Sequence, residues 1–489
     1  MTDRELRIAI IGAGAGGLCT GKRLLDEGYD DFVIVERAED VGGTWRRNTY
    51  PGCECDVPSA LYSFSWAFKP DWSKPYGTQP EVLEYLRGIA DHYGLRSHCR
   101  FDDGVVAARW DDPTATWALT LESGATVDAD VVVSAIGMFN ELSWPDIEGL
   151  DSFTGAMWHS AEWNWEHDLA GERVAVIGSA ASAVQLVPEI VKAAGQVHLF
   201  QRTANWVLPK LDDTFTEEQL EAFRADPTPL LAFRAETERH INAGMTFSIP
   251  DQLRESEAAG LDAIAVVEDP VVRAKLRPQH PFGAKRPLFS NLYYPAFNRP
   301  NLELVTDPIA RVTERGVVTA DGAEREVDVI VIATGFATTK YLSVIDVTGR
   351  DGRRIVDAWN DGPLAYLGIM TSGFPNLFML YGPNTNNGSI LTMIEAQVDH
   401  VLAHLRRLRA EGVRWVDVRP EAMAAYNVEV QEAIAAVRVW QADCHGYYRA
   451  PSGRIVTQWP FSMLEYQERT ATLDLDAFEV GGCGAGVGS

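Results

Sequence analysis

Three glycines, Gly12-x-Gly14-x-x-Gly17, follow an apolar run from Arg7 to Ile11 and precede a helical pattern from Leu18 to Glu27. Glycine at those places permits a tight turn. It also lets backbone N–H groups approach a pyrophosphate at a helix N-terminus. The next apolar run, Phe32 to Val35, ends on Glu36, where a carboxylate can accept hydrogen bonds from a ribose. The chemistry implied is dinucleotide binding. A second copy begins at Arg173, where RVAVIGSAASA echoes RIAIIGAGAGG at a distance of 166 residues. Gly178, Ala180 and Ala183 take the three glycine places, and Ser179 and Ser182 stand in the same turn. The methyl of Ala180 lies where the backbone usually nears pyrophosphate, which weakens the expected site. Shifted by the same 166 residues, Glu36 falls on Arg202, with Thr203 beside it. A guanidinium suits a 2′-phosphate where a carboxylate suits a free ribose hydroxyl. The pair therefore reads as one site of the FAD type and one for NADP(H).

Two such sites imply a flavoprotein that takes hydride from NADPH. The electrons then go to a disulfide or to dioxygen. Disulfide reduction normally uses a CxxxxC pair beside the flavin. Cys53 and Cys55 are separated by one residue and cannot play that part without strain. No CxxC pair of metal-binding spacing occurs among Cys19, Cys53, Cys55, Cys99, Cys444 and Cys483, and no metal is expected. Dioxygen is the better acceptor.

At this point the chain resembles the class B flavoprotein monooxygenases, specifically the type I Baeyer–Villiger monooxygenases. Phe153-x-Gly155-x-x-x-His159-x-x-x-Trp163 matches the family fingerprint, with Asn164 next where Pro or Asp is usual. Gly42-Gly43-Thr44-Trp45, Tyr50-Pro51-Gly52 and Asp56 match a second signature, and Lys285-Arg286 matches the site of the active arginine. The resemblance implies an NADPH- and dioxygen-dependent enzyme that converts ketones to esters or lactones through a flavin 4a-peroxide. A fixed cation must stabilise that peroxide and the oxyanion of the ketone adduct, and Arg286 is the candidate. It further implies that Asp56 lies near the flavin and orients Arg286. Lys285 would join Arg202 and Thr203 at the 2′-phosphate. Gly43, Thr44, Trp45 and Tyr62 would line the flavin, and the Val106 backbone would meet the adenine. His159, in a linker with Trp158 and Trp163, is read as a conformational residue and not a proton-transfer group. Tyr447 replaces the usual Trp of a C-terminal motif. The loop from Gly382 to Ser389, with Leu391 and Met393 after it, resembles the substrate-facing wall, although both apolar residues fit simple core equally well. The alternative activity is oxidation of nitrogen or sulfur centres, which does not need Arg286.

These residues need a particular scaffold. Asp130–Gly137 (DVVVSAIG) and Asp328–Gly335 (DVIVIATG) form a second pair of echoes, each a buried strand ending on glycine. The fold expected is α/β, with two Rossmann-like dinucleotide-binding domains and a helical insertion. The flavin domain comprises 1–142 and 341–489, the NADP domain 143–208 and 285–340, and the insertion 209–284. The chain has 489 residues, and roughly 150 residues per domain allows about three units. Apolar residues make up 46% and charged residues 23%, as in globular proteins. With 43 basic and 69 acidic residues the net charge is −26, which disfavours nucleic acid and anionic membranes as partners. No apolar run reaches the roughly 20 residues of a membrane span. The sparse cysteines, and an N-terminus that runs directly into a strand, favour a cytoplasmic protein. An acidic chain that holds anionic NADPH must concentrate its cations locally, at Arg202, Lys285 and Arg286.

Overall fold

A computed structural model of the chain describes residues 5–444 and 446–482. Residues 1–4, His445 and 483–489, which include Cys483 and most of the glycine-rich tail, lie outside the described residues. Each copy of the repeat forms the centre of a five-stranded parallel sheet. In the first, the order is Leu377–Met379, Val131–Ser134, Ile8–Ile11, Phe32–Val35, Cys99–Arg100. In the second it is Leu302–Val305, Gln196–Phe200, Arg173–Ile177, Val329–Ile332, Ala156–His159. The two pairs of sequence echoes are thus neighbouring strands in equivalent places. Ile8–Ile11, Val131–Ser134 and Val329–Ile332 are buried at every residue, as parallel strands covered on both faces must be.

The first residues of the echoes also meet. Arg7 donates to Asp130 at 3.2 Å, and Arg173 donates to Asp328 at 2.7 Å. An arginine–aspartate pair therefore closes the same end of both sheets.

The equivalence breaks by one residue where it bears on cofactor choice. Ile11 pairs with Val35, so Glu36 is the first residue beyond that strand. Ile177 pairs with Phe200, so Gln201 and not Arg202 takes the place of Glu36. The connection between the two strands is one residue shorter in the second unit. The 166-residue shift therefore overshoots there. Gln201 is buried and donates to the Lys275 carbonyl at 3.0 Å, while Arg202 follows it on the exposed side.

Strands Val207–Leu208 and Leu288–Phe289 pair in parallel. Between them run helices Glu217–Ala225, Thr228–Gly244, Pro250–Ile264 and Pro270–Lys275. Thr216 and Gln219 close the first helix with reciprocal side-chain to backbone bonds, which explains its sharp start. After Gly335 the long helix is Ile390–Glu411, packed on helix Ala15–Asp26. A further helix, Pro420–Ala436, and a four-stranded sheet joining Asp346–Thr348 to Val105–Ala129 have no counterpart in the sequence reading. No helix among the described residues is long and apolar enough to cross a membrane.

Candidate functional site

Gly12 has φ +102°, a region that L side chains rarely adopt. A Cβ there would stand 3.0 Å from the Ala135 carbonyl oxygen, at the end of the echo strand. A Cβ at Gly17 would stand 1.9 Å from the Gly12 carbonyl oxygen, and one at Gly43 would stand 2.9 Å from Gly14 Cα. Gly43 therefore closes on the glycine turn. No side chain caps helix Ala15–Asp26 at Gly14. Its first N–H groups are left for an anion. Glu36 is buried and accepts from the Ala13 N–H at 2.7 Å and the Ala38 N–H at 3.0 Å. Those bonds fix the carboxylate against the turn, with acceptor capacity to spare. This cradle fits a dinucleotide. Gly17→Ala is expected to abolish FAD retention and to cost about 1–3 kcal/mol of stability through overpacking. Cofactor content and thermal unfolding of the purified variant check it.

The second turn is built alike. Gly178 has φ +110°, and a Cβ there would lie 2.4 Å from the Ala333 carbonyl oxygen. Helix Ala181–Ile190 starts at Ala180, again without a side-chain cap. Ala180 is exposed, so its methyl narrows the approach without blocking the helix end. Ser182 is half-buried and Ala183 fully buried against the sheet. Ser179 is buried, its hydroxyl 3.4 Å from the Thr203 carbonyl, and its own carbonyl accepts from Asn205 at 2.9 Å. The turn is thereby tied to the segment that carries Arg202 and Thr203. Lys285 comes to the same place from Ala284–Arg286. Burial lowers its pKa, and the positive charge of Arg202 lowers it further. Two cations held together fit a phosphate.

One residue beyond Lys285, the Arg286 guanidinium donates to Asp56 Oδ2 from Nε at 2.9 Å and from a terminal nitrogen at 2.5 Å. Both side chains are 28% exposed. Asp56 holds the arginine pKa well above its ordinary value and outweighs the opposing effect of burial. Tyr447 and Tyr381 complete the surroundings. The Tyr381 hydroxyl donates to Asn386 at 2.5 Å. The Tyr447 hydroxyl is buried with no hydrogen-bond partner among the described residues. Tyr381 and Asn384 have φ of +53° and +55°, uncommon for residues with a side chain. Sequence reasoning missed Tyr381, which stands immediately before the loop it singled out. The only available signal was that adjacency.

Trp45 Nε1 donates to the Tyr62 hydroxyl at 2.9 Å, and both rings pack on Cys55, Val57 and Leu61. Thr44 opens the short helix Thr44–Arg47 and is exposed. Burial pushes the Cys53 thiol up to about 12 and the Cys55 thiol higher still, so both are protonated, packed groups. Val106 lies at a register break in its antiparallel pair with its side chain exposed, which leaves backbone as the part suited to a ligand. Tyr50 and Gly52 have a role that spacing could not reveal. Tyr50 donates to Gln185 at 2.9 Å, and a Cβ at Gly52 would lie 2.6 Å from the Gln185 carbonyl oxygen. This loop of the first unit docks on helix Ala181–Ile190 of the second.

His159 ends strand Ala156–His159 and is almost fully buried. Its Nδ1 accepts from the Ala161 N–H at 3.1 Å, and burial lowers its pKa, so the ring is neutral near pH 7. Trp144 and Phe336 flank it at 5.9 and 6.0 Å. Asn164 accepts from the Glu166 N–H at 3.1 Å, a turn that aspartate forms equally well. Leu391 and Met393 are buried in the main core, which settles them as packing residues. No cluster of metal-ligating residues occurs among the described residues.

Comparison with known proteins follows the same lines. Residues 5–220 match the flavin-binding monooxygenase-like family. A Baeyer–Villiger monooxygenase of Streptomyces coelicolor is 42% identical over 97% of this chain and 93% of its own length. The structure of OTEMO in complex with FAD and NADP superposes with a TM-score of 0.87 at 30% identity, covering 97% of this chain and 99% of that one. Cyclohexanone monooxygenase from Rhodococcus sp. Phi1, bound to NADP+, gives the same TM-score, identity and coverage.

Proposed function

Because the chain belongs to the Baeyer–Villiger monooxygenases, we propose that it uses NADPH and dioxygen to insert one oxygen atom beside the carbonyl of a ketone, giving an ester or lactone. The balance is ketone, dioxygen, NADPH and a proton going to ester, NADP+ and water. Bound FAD, once reduced, supplies dioxygen activation and oxygen transfer. The Gly12–Gly17 turn and Glu36 hold its dinucleotide portion, with Gly43, Thr44, Trp45, Tyr62 and the Val106 backbone along it. Gly178 to Ala183, Arg202, Thr203 and Lys285 hold NADPH, the three polar side chains at the 2′-phosphate.

The observation that carries this reading is the Arg286–Asp56 pair. Addition of an oxygen nucleophile to a ketone puts negative charge on the former carbonyl oxygen. A preorganised cation lowers the barrier most when it cannot lose its proton or turn away. Arg286 meets both conditions, since the Asp56 carboxylate raises its pKa and grips two of its nitrogens. Asp56 also offsets the cost of partly burying the cation. His159 is neutral and already hydrogen-bonded, and its place at a strand end supports a conformational role. The five described cysteines are free thiols, in keeping with a cytoplasmic setting.

Turnover with NADPH on a ketone panel, with products read by mass spectrometry, tests the proposal. An ester or lactone one oxygen heavier than its ketone is expected. Oxidation confined to sulfides or amines would overturn it.

A further inference from the structure

We propose that Lys210 and Glu54 are positioning residues, forming a second ionic rung that fixes the Asp56–Arg286 pair across the boundary between the two nucleotide-binding units. The inference rests on the role proposed for Arg286.

Lys210 is a lysine whose side chain is only 1% exposed. Its ammonium pairs with Glu54 and lies 3.8 Å from Asp212. Lys74 joins the same two carboxylates at 2.6 and 2.8 Å. The four charges cancel. Lys210 also stands 5.1 Å above the Tyr76 ring. A buried ion pair is a poor way to gain stability, because desolvation consumes most of the attraction and apolar residues of similar size do as well. Its distinctive property is geometric, since each charge tolerates few partners and few positions.

The two ends of this rung are the two ends of the catalytic pair. Glu54 is two residues from Asp56, in a segment bridged to Thr78 and held by Cys55 N–H donating to the Gly77 carbonyl at 2.9 Å. Lys210 is two residues beyond strand Val207–Leu208, which pairs with Leu288–Phe289, itself two residues beyond Arg286. Asn291 locks that register. It accepts from the Lys210 N–H at 3.1 Å and donates to the Lys210 carbonyl at 2.8 Å. Arg286 and Lys210 thus ride on one pair of strands, and Asp56 and Glu54 on one segment. One contact fixes a distance, whereas two fix a distance and an angle. Gln185 adds a neutral tie to the same segment, its side-chain amide donating to the Glu54 carbonyl at 3.0 Å, and the rung adds the charged one. A cavity of about 420 Å³, lined in part by Glu54, Lys74, Asp212 and Asn291, opens beside the rung.

The test uses FAD-loaded enzyme. Lys210→Met keeps volume and leaves Glu54 and Asp212 with Lys74. Hydrogen–deuterium exchange in peptides covering 52–58 and 286–292 is expected to quicken at least tenfold, with Ile8–Ile11 unchanged. Ester formed per NADPH oxidised is expected to fall at least threefold. Hydrogen peroxide should rise to match, since dioxygen then takes both electrons and two protons without reaching the ketone. The KM for NADPH should stay within twofold, and Lys210→Arg should restore most of the coupling. Unchanged exchange in both segments, or unchanged coupling, would overturn the inference. If Lys210→Met does not retain FAD, Glu54→Gln gives the same readouts. A wild-type enzyme that makes no ester from any ketone would instead refute the proposed function. Exchange, together with NADPH oxidation in the absence of ketone, would then decide the rung by itself.

Discussion

Arg286→Ala is expected to retain FAD and accept hydride from NADPH, yet to form ester about 10²–10³-fold more slowly, the usual effect of removing one preorganised oxyanion donor. The cofactor cradles do not involve this side chain. Gly12, Gly14, Gly17 and Glu36 form a turn closed by its own backbone contacts. What the variant loses is a fixed positive charge, and it leaves Asp56 half-buried with its partner gone. An unpaired carboxylate at that place repels a developing oxyanion as well as failing to attract it. Arg286→Lys separates the two effects. Lysine keeps a charge but not two parallel donors, so partial recovery is expected. Stopped-flow flavin reduction and product quantification, run on the same preparations, provide the check. Ester formation by the alanine variant near the wild-type rate would remove Arg286 from the mechanism.

The second large effect concerns the nicotinamide cofactor. Arg202→Ala is expected to raise the KM for NADPH about tenfold, equivalent to about 1.4 kcal/mol, with NADH almost unaffected. A net charge of −26 opposes any anion, so local cations must prevail. Burial lowers the Lys285 pKa, and Arg202 lies close enough to lower it further. Such crowding is unfavourable until a phosphate stands between them. Arg202 is exposed, and salt screens it, so the effect should shrink at high ionic strength. Steady-state kinetics with both cofactors at two salt concentrations checks this. An unchanged preference for NADPH would shift the recognition to Lys285 and Thr203.

The parts of the site that were legible in the sequence are local. Each strand, turn and helix start of the repeat is a short segment whose glycines and apolar residues state their own geometry. Glu36 could be placed because it follows its strand directly. Arg202 was displaced by one position, because the shorter connection in the second unit becomes visible only when Ile177 is seen opposite Phe200. The convergence of Tyr381, Tyr447 and Arg286 joins residues up to 161 positions apart and depends on how the second unit sits on the first. The docking of Tyr50 and Gly52 on helix Ala181–Ile190 depends on that same packing. Spacing cannot express it, so a matched motif named those residues without explaining them.

The most direct measurement is isotopic. FAD-loaded enzyme is supplied with NADPH, ¹⁸O₂ and linear, cyclic, aryl and steroid ketones in turn, and the products are weighed. The account requires an ester or lactone carrying one ¹⁸O atom, with the other in water, and loss of that product in Arg286→Ala. Consumption of NADPH with no labelled ester from any ketone, or label found only in sulfoxides or N-oxides, would contradict it.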